Sequence, residues 1–263
     1  MRTITFLSDF GTSDTTVSTV KAKLNRIAGP VSIVDISHDR SNTDIRQASY
    51  IFSSSYKHFP EGTVHVVLSN VFHSGAHHLL LGVYAGYYII APENDLFSLA
   101  FEGNIKEIWN TGNINGSSSV SGWVEKVAEI INVIQDGTDF SQCFSRYQPI
   151  GAHFQVIPRL ARNGIDSNIL YIDRYGNIVV NMTNSQFESL IGERPFSICL
   201  PGDEKITAIS KHYNEVATGQ YLCRFNHSGY LEIAINHGSA AAELALITET
   251  TGNLNYQFIT INL

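Results

Sequence analysis

The segment Ser8-Asp9-Phe-Gly-Thr-Ser-Asp14 carries the first chemistry in the chain. A carboxylate at the carboxyl end of a strand, just ahead of a helix, stands where open α/β sheets bind ligands. It can take both hydroxyls of a ribose in one bidentate contact. The same pattern also serves as a plain helix cap, and the segment alone does not decide between the two. A second group is His73, His77 and His78. A His-x-x-x-His spacing gathers two imidazoles on one side only in a helix. The stretch Asn70-Val-Phe-His-Ser-Gly-Ala-His-His78 has Gly inside it and reads as a loop between strands, with no carboxylate or cysteine close by. Exposed loop histidines are expected there, and no metal centre. A GxGxxG turn after the first strand, a GxxxxGKS/T phosphate loop, a GxSxG elbow and HExxH are all absent.

The elements that must position these residues change character along the chain. The first half alternates β-rich runs with helical patterns, as α/β layers do. Strands are expected at 3–7, 31–36, 62–69, 79–83 and 87–90, the last two around a turn at Gly86. Helices are expected from Thr12 or Ser13 to Ala28, stopped by Gly29-Pro30, and at 44–56 and 122–135. A low-regularity stretch with Gly137, Pro149, Gly151 and Pro158 reads as a linker, and beyond it nearly everything is β. Strands at 169–173, 178–182, 196–200, 204–209, 221–224, 231–235 and 244–247 have the short spacing of a small barrel. The expectation is therefore an α/β N-terminal domain, a Rossmann-like layered sheet over 1–150, followed by an all-β small barrel over 160–263.

Composition limits the partners. The 263 residues are 43% hydrophobic, enough for a sizeable core and against disorder. With 24 acidic against 17 basic residues the formal net charge is -7, and no basic stripe interrupts it. Nucleic acid and anionic membrane surfaces are thereby disfavoured, and a small cationic or neutral ligand stays open. Cys143, Cys199 and Cys223 are too scattered for a disulfide framework and read as small buried hydrophobes in a reducing compartment. The N-terminus turns polar too early for a signal peptide, and the longest apolar stretch, 79–91, falls short of a membrane span. A cytoplasmic protein is expected.

Four further segments join the Asp9 loop in a recognisable order. They are Val34-Asp-Ile-Ser-His38 with Asp44-Ile-Arg-Gln-Ala48, Phe59-Pro-Glu-Gly-Thr-Val-His-Val66, Tyr171-Ile-Asp-Arg-Tyr-Gly-Asn177, and Gly229-Tyr-Leu-Glu-Ile-Ala-Ile-Asn236 with Gly238-Ser-Ala-Ala. Together they resemble the S-adenosylmethionine hydroxide adenosyltransferases, a family that also holds fluorinases and chlorinases. The resemblance spans nearly the whole chain. It implies an adenosyl ligand, no separate cofactor, and a homotrimer whose sites lie between one subunit's first domain and its neighbour's second. The implied reaction is in-line displacement at ribose C5′, with methionine leaving and water or a halide attacking. A sulfonium leaves as a neutral thioether without a general acid, so the site mainly aligns a desolvated nucleophile. By resemblance Asp9 binds the ribose, Asp14 and Asp173 lie near the amino-acid end, Asn177 reads the adenine edge, and Tyr213 stacks on adenine. Asp173 and Asn177 also suit a hairpin turn around Gly176, and Tyr213 also suits a core position.

The match departs where the hydrolytic members carry Asp, Arg and His for the attacking water. The corresponding positions here are Asn70, His77 and Ser121. Asparagine cannot take the proton an aspartate would, and serine does not replace imidazole as a base. Three readings follow. The first is hydrolysis of S-adenosylmethionine, with His73 or His77 as base or orienting water through Asn70. The second is a non-catalytic adenosyl-binding protein. The third is a halogenase, which is disfavoured because the fluorinase-like insertion is missing between His77 and Tyr88. Trp123 stands where the family has a charged residue, either filling the vacated pocket or packing under a helix.

Overall fold

Successive residues of a strand point to opposite faces of its sheet, and in the first half of this chain each face has its own helices. A computed structural model describes residues 3–39, 43–72, 77–101, 103–114, 119–148, 157–162, 164–200, 204–246 and 258–263. The chain divides into two units, Met1–Gln155 and Val156–Leu263.

The first unit runs β1 (Thr3–Ser8), α1 (Thr16–Ile27), β2 (Ser32–Ser37), α2 (Ile45–Ser55), β3 (Val64–Leu68), β4 (His78–Tyr84), β5 (Tyr87–Pro92), α3 (Leu96–Phe101), β6 (Glu107–Asn113), α4 (Val120–Asp136), α5 (Phe140–Cys143) and β7 (Ser145–Arg146). Its mixed sheet has the order β2-β1-β3-β5-β4-β6-β7. The four strands β2, β1, β3 and β5 are parallel, and β4, β6 and β7 join antiparallel. Ile4 and Phe6 of β1 and Leu79 and Leu81 of β4 meet Val20 and Leu24 of α1 and Trp123 and Ile131 of α4. Leu7 and Leu80 point the other way, onto Ala48 and Phe52 of α2 and Phe97 of α3. Ser119 caps α4 by accepting the Gly122 amide, and Gly137, at φ 67°, ends it in the left-handed conformation. The β4–β5 hairpin closes through Ala85 and Gly86, both at positive φ, with no insertion.

The second unit contains β8 (Arg159–Ala161), β9 (Gly164–Ile172), β10 (Ile178–Thr183), α6 (Asn184–Leu190), β11 (Ser197–Cys199), β12 (Lys205–Ile206), β13 (Tyr221–Phe225), β14 (Tyr230–Ile235), α7 (Ala240–Glu243) and β15 (Phe258–Asn262). Its antiparallel sheet has the order β12-β11-β15-β9-β10-β14-β13, with β8 beside β9. Just past β12, Ile209 bridges to Cys223 of β13 and Ser210 N donates to Cys223 O at 2.8 Å, so the two ends nearly meet in a barrel-like sheet. Ile165, Ile178, Val180, Leu231 and Ile233 fill its interior.

Several local expectations are corrected. The strand expected at 244–247 does not form over its described residues: Ser239 caps Ala240–Glu243 as α7, and Leu244 ends that helix. The second unit is therefore not all β, since Thr183 and Gln186 also build a capping box that starts α6. The strand expected at 204–209 pairs only over Lys205–Ile206. Of the two places open to Trp123, the structure has it packed under a helix, fully buried in the α1–α4 core. Cys143 and Cys199 are exposed, and only Cys223 is buried. Among the described residues no helix is long and apolar enough to cross a membrane.

Candidate functional site

The parallel strands β2, β1, β3 and β5 all end at one edge of the first sheet, and antiparallel β4 begins there. That edge gathers the loops after β1 and β3 together with His77 and His78. Its centre is Asp9, whose Oδ2 accepts the Thr43 hydroxyl at 3.0 Å and the Asn70 amide at 2.9 Å. Among the described residues Oδ1 takes no hydrogen bond, so half of this carboxylate is anchored and half is available. Asn70 holds its amide in place from the left-handed region, at φ 57°, which asparagine tolerates better than most residues. Its buried Oδ1 has no partner among the described residues. The loop around Asp9 is clamped from β2: His38 Nδ1 lies 2.7 Å from Ser8 Oγ, and His38 O accepts the Gly11 amide at 2.8 Å. Asp14 is exposed and accepts the Thr16 amide at 2.8 Å in the first turn of α1. That bond holds its carboxyl below the ordinary range.

His77 is exposed at the start of β4, and His73 lies outside the described residues. Ser121 sits in the first turn of α4, where its hydroxyl accepts from Lys23 Nζ at 2.7 Å and donates to Glu125 at 3.0 Å. It is engaged between α1 and α4.

In the second unit, Asp173 and Asn177 frame the β9–β10 turn. Asp173 Oδ1 accepts the amides of Tyr175 and Asn177, and Oδ2 accepts Asn177 Nδ2 at 2.9 Å. Gly176 at the apex is at φ 80°, and a Cβ there would meet Ser239 Oγ at 1.9 Å. Tyr213 lies on a 3-10 turn, 39% exposed. Its hydroxyl donates to Glu232 at 2.6 Å, and the Arg224 guanidinium stands 4.7 Å over its ring. Burial, then the bond to Glu232, pushes the Tyr213 phenol up to about 12. Burial also raises Glu232, with the charge of Asp173 adding to it, while Tyr213 and Arg224 oppose. An open cavity of about 500 Å³ is lined by His212, Tyr213, Asn214, Arg224, Asn236 and His237.

The sequence matches the SAM hydroxide adenosyltransferase N-terminal domain over residues 4–134 and the C-terminal domain of the same family over 167–251. The chain belongs to this family. It is 24% identical to an (R)-S-adenosyl-L-methionine hydrolase of Thermus thermophilus, across 94% of this chain and 96% of that protein. To one of Methanocaldococcus jannaschii it is 21% identical, across 88% and 87%. Its fold matches the crystal structure of an uncharacterized conserved protein from Thermotoga maritima with TM-score 0.80, at 22% identity over 99% and 100% of the two chains. A conserved hypothetical protein from Thermus thermophilus matches with TM-score 0.72, also at 22% identity, over 100% and 99%.

Within this adenosyltransferase frame, one sequence expectation is overturned. The histidine stretch does have a carboxylate beside it, because His78 Nε2 lies 2.7 Å from Glu93 Oε2 and His78 belongs to β4. Glu93 follows β5, and β4 lies beside β5, so a contact between residues fifteen apart had no helical or turn periodicity to announce it. Thr43, Arg224 and Glu232 were also missed, each reaching its partner through tertiary contacts. Among the described residues no three His, Cys, Asp or Glu side chains gather as metal ligands do.

Proposed function

We propose that this protein hydrolyses S-adenosylmethionine to adenosine and methionine by attack of water at ribose C5′. The observation that carries the reading is Asp9: Thr43 and Asn70 fix one carboxylate oxygen at the strand-end edge, and the other remains for a vicinal diol. Ligand binding at strand carboxyl ends is Rossmann-like use of a layered sheet. Asn70 and His77 then orient the water from the same edge. A sulfonium carbon yields to an aligned water without a strong base in the attack itself. Asp14 and Asp173 supply negative charge for the ammonium end, Asn177 offers its Oδ1 to the adenine amino group, and Tyr213 offers its ring to the purine. The family resemblance adds a homotrimer with sites shared between subunits. Free exposed thiols at Cys143 and Cys199 suit a reducing cytoplasm.

A second reading, binding without turnover, draws support from Ser121, whose hydroxyl is committed to Lys23 and Glu125. Incubation with S-adenosylmethionine and chromatography of the products separates the two. Hydrolysis gives adenosine and methionine at a rate lowered by Asp9→Ala and by His77→Ala. Calorimetric binding with no adenosine above an enzyme-free blank sinks the hydrolytic reading and leaves the binding one. Light scattering that reports a monomer removes the shared site.

A further inference from the structure

Hydrolysis releases a proton, and neither Asn70 nor Ser121 accepts one readily near neutrality. The contacts beyond Asn70 lead to an imidazole paired with a carboxylate. Ser69 O accepts Asn94 Nδ2 at 3.4 Å, and the neighbouring Glu93 donates its amide to His78 O at 3.3 Å. The carboxyl ends of β3 and β5 and the start of β4 are thereby joined along the edge. Glu93 divides its two oxygens between Tyr147, whose hydroxyl donates to Oε1 at 2.5 Å, and His78, whose Nε2 lies 2.7 Å from Oε2. The oxygen sits off the ring N–H axis, so the His78 contact is an electrostatic pairing and not a linear hydrogen bond. Such a pairing strengthens when the imidazole gains a proton.

Each member is held in place. Tyr147 donates its amide to Ile108 O at 2.9 Å and packs on the α2–α3 side of the sheet. Burial and the adjoining Glu93 raise its phenol well above the ordinary range, so it remains a donor. The β4–β6 pairing bulges between His78 and Leu80, and it is the contact with Glu93, itself bonded by Tyr147 of that α2–α3 cluster, that places His78 beside it. Asp9 lies one residue past β1, and its partner Thr43 leads into α2. His78 stands two strands from Asn70, about 10 Å at the usual spacing. The His78 side chain is 19% exposed, and its Nδ1 has no partner among the described residues.

We propose that His78 accepts the proton of the attacking water, with Glu93 stabilising the imidazolium and Tyr147 holding Glu93. This assignment rests on the hydrolytic reading above. The water oxygen forms the new bond to C5′ as the C5′–S bond breaks, and the bonding pair stays on sulfur to give the neutral thioether of methionine. The surplus proton on oxygen passes to Nδ1 of His78 and from the partly exposed ring to solvent. The products are adenosine, methionine and one proton. Glu93 and Tyr147 act through His78 and are positioning residues.

The test follows adenosine release by the full-length protein. His78→Gln lowers kcat about 100-fold, within the range of general-base contributions, and Glu93→Gln about 10-fold. KM and the calorimetric affinity for S-adenosylmethionine stay within about twofold in both, as expected for a group that acts on the water. His78→Gly regains part of its rate when free imidazole is added, which a purely structural role does not allow. Circular dichroism confirms that each variant is folded. Should His78→Gln misfold, Glu93→Gln and the imidazole rescue decide. Active wild-type protein with an unaffected kcat in His78→Gln, or a loss confined to KM, overturns this assignment alone. Wild-type protein that binds S-adenosylmethionine and forms no adenosine overturns both this assignment and the hydrolytic reading.

Discussion

Asp9 and Asp173 are both half-buried carboxylates in loops that follow a strand, yet they are held in opposite ways. The partners of Asp9 come from Thr43 and Asn70, 34 and 61 residues away, and they occupy one oxygen. Those of Asp173 lie within four residues and occupy both. A carboxylate consumed by its own turn contributes mainly to the fold. One pinned by distant loops on a single oxygen keeps hydrogen-bonding capacity for something outside the chain.

The sharpest way to break this comparison is at the apex of the Asp173 turn. Gly176→Ala puts a methyl 1.9 Å from Ser239 Oγ and 2.7 Å from Ser239 Cβ, at a positive φ that side chains resist. A loss of about 4 kcal/mol is expected, read as a lower midpoint in urea unfolding. A variant as stable as the parent means that the turn relaxes freely, and Asp173 is then not locked.

Acid tests the same idea on a group wholly enclosed by the fold. His65 on β3 bonds Thr5 through Nδ1 at 2.7 Å and is enclosed by Phe52, Tyr56, Phe59 and Tyr87. Burial lowers its pKa to about 4, against 6.5 for a free imidazole. The unfolded chain therefore takes up the proton first as pH falls. This contribution is fully present above pH 6.5 and is lost progressively toward pH 4, by about 3 kcal/mol. Urea unfolding at pH 7 and pH 4.5 measures the slope, and His65→Leu should flatten it. An unchanged slope assigns the acid sensitivity elsewhere.

Asp9→Asn probes the other member of the pair. The amide keeps an oxygen for Thr43 and the Asn70 amide but replaces the available acceptor and its charge. Affinity for S-adenosylmethionine should fall 10- to 100-fold, about 1.4–2.7 kcal/mol, with the urea midpoint nearly unchanged. Calorimetry that finds parental affinity removes Asp9 from the binding site.

The comparison also separates what was legible in the sequence from what was not. The Asp173-Arg-Tyr-Gly-Asn177 turn could be read directly, because residue types two to four positions apart determine it. The hairpin at Gly86 was legible for the same reason, as was the α/β-to-β change of pattern. The strand Glu107–Asn113 was missed, since Asn110, Gly112 and Asn113 break its apolar alternation and its β4 partner supplies the order. The stretch 244–247 reads as a strand, but a serine cap and a run of alanines just before it favour a helix turn that ends at Leu244. At the site, Asp9 was legible as a candidate through its place after a strand. Its two holders and the His78–Glu93 contact depend on which strands become neighbours, and no local spacing records that.

Asp173→Ala is the smallest change and decides how far the contrast extends. It removes the acceptor of two backbone amides and of Asn177 Nδ2, all in a surface turn where water can partly replace it. A loss of about 1–2 kcal/mol in urea unfolding is expected, with ligand affinity reduced less than in Asp9→Asn because the carboxylate reaches the ammonium end only through its charge. If affinity falls further than in Asp9→Asn while stability holds, the roles are reversed. Asp173 would then be the ligand's carboxylate despite its full set of local bonds, and the number of bonds already made would be a poor guide to which carboxylate binds.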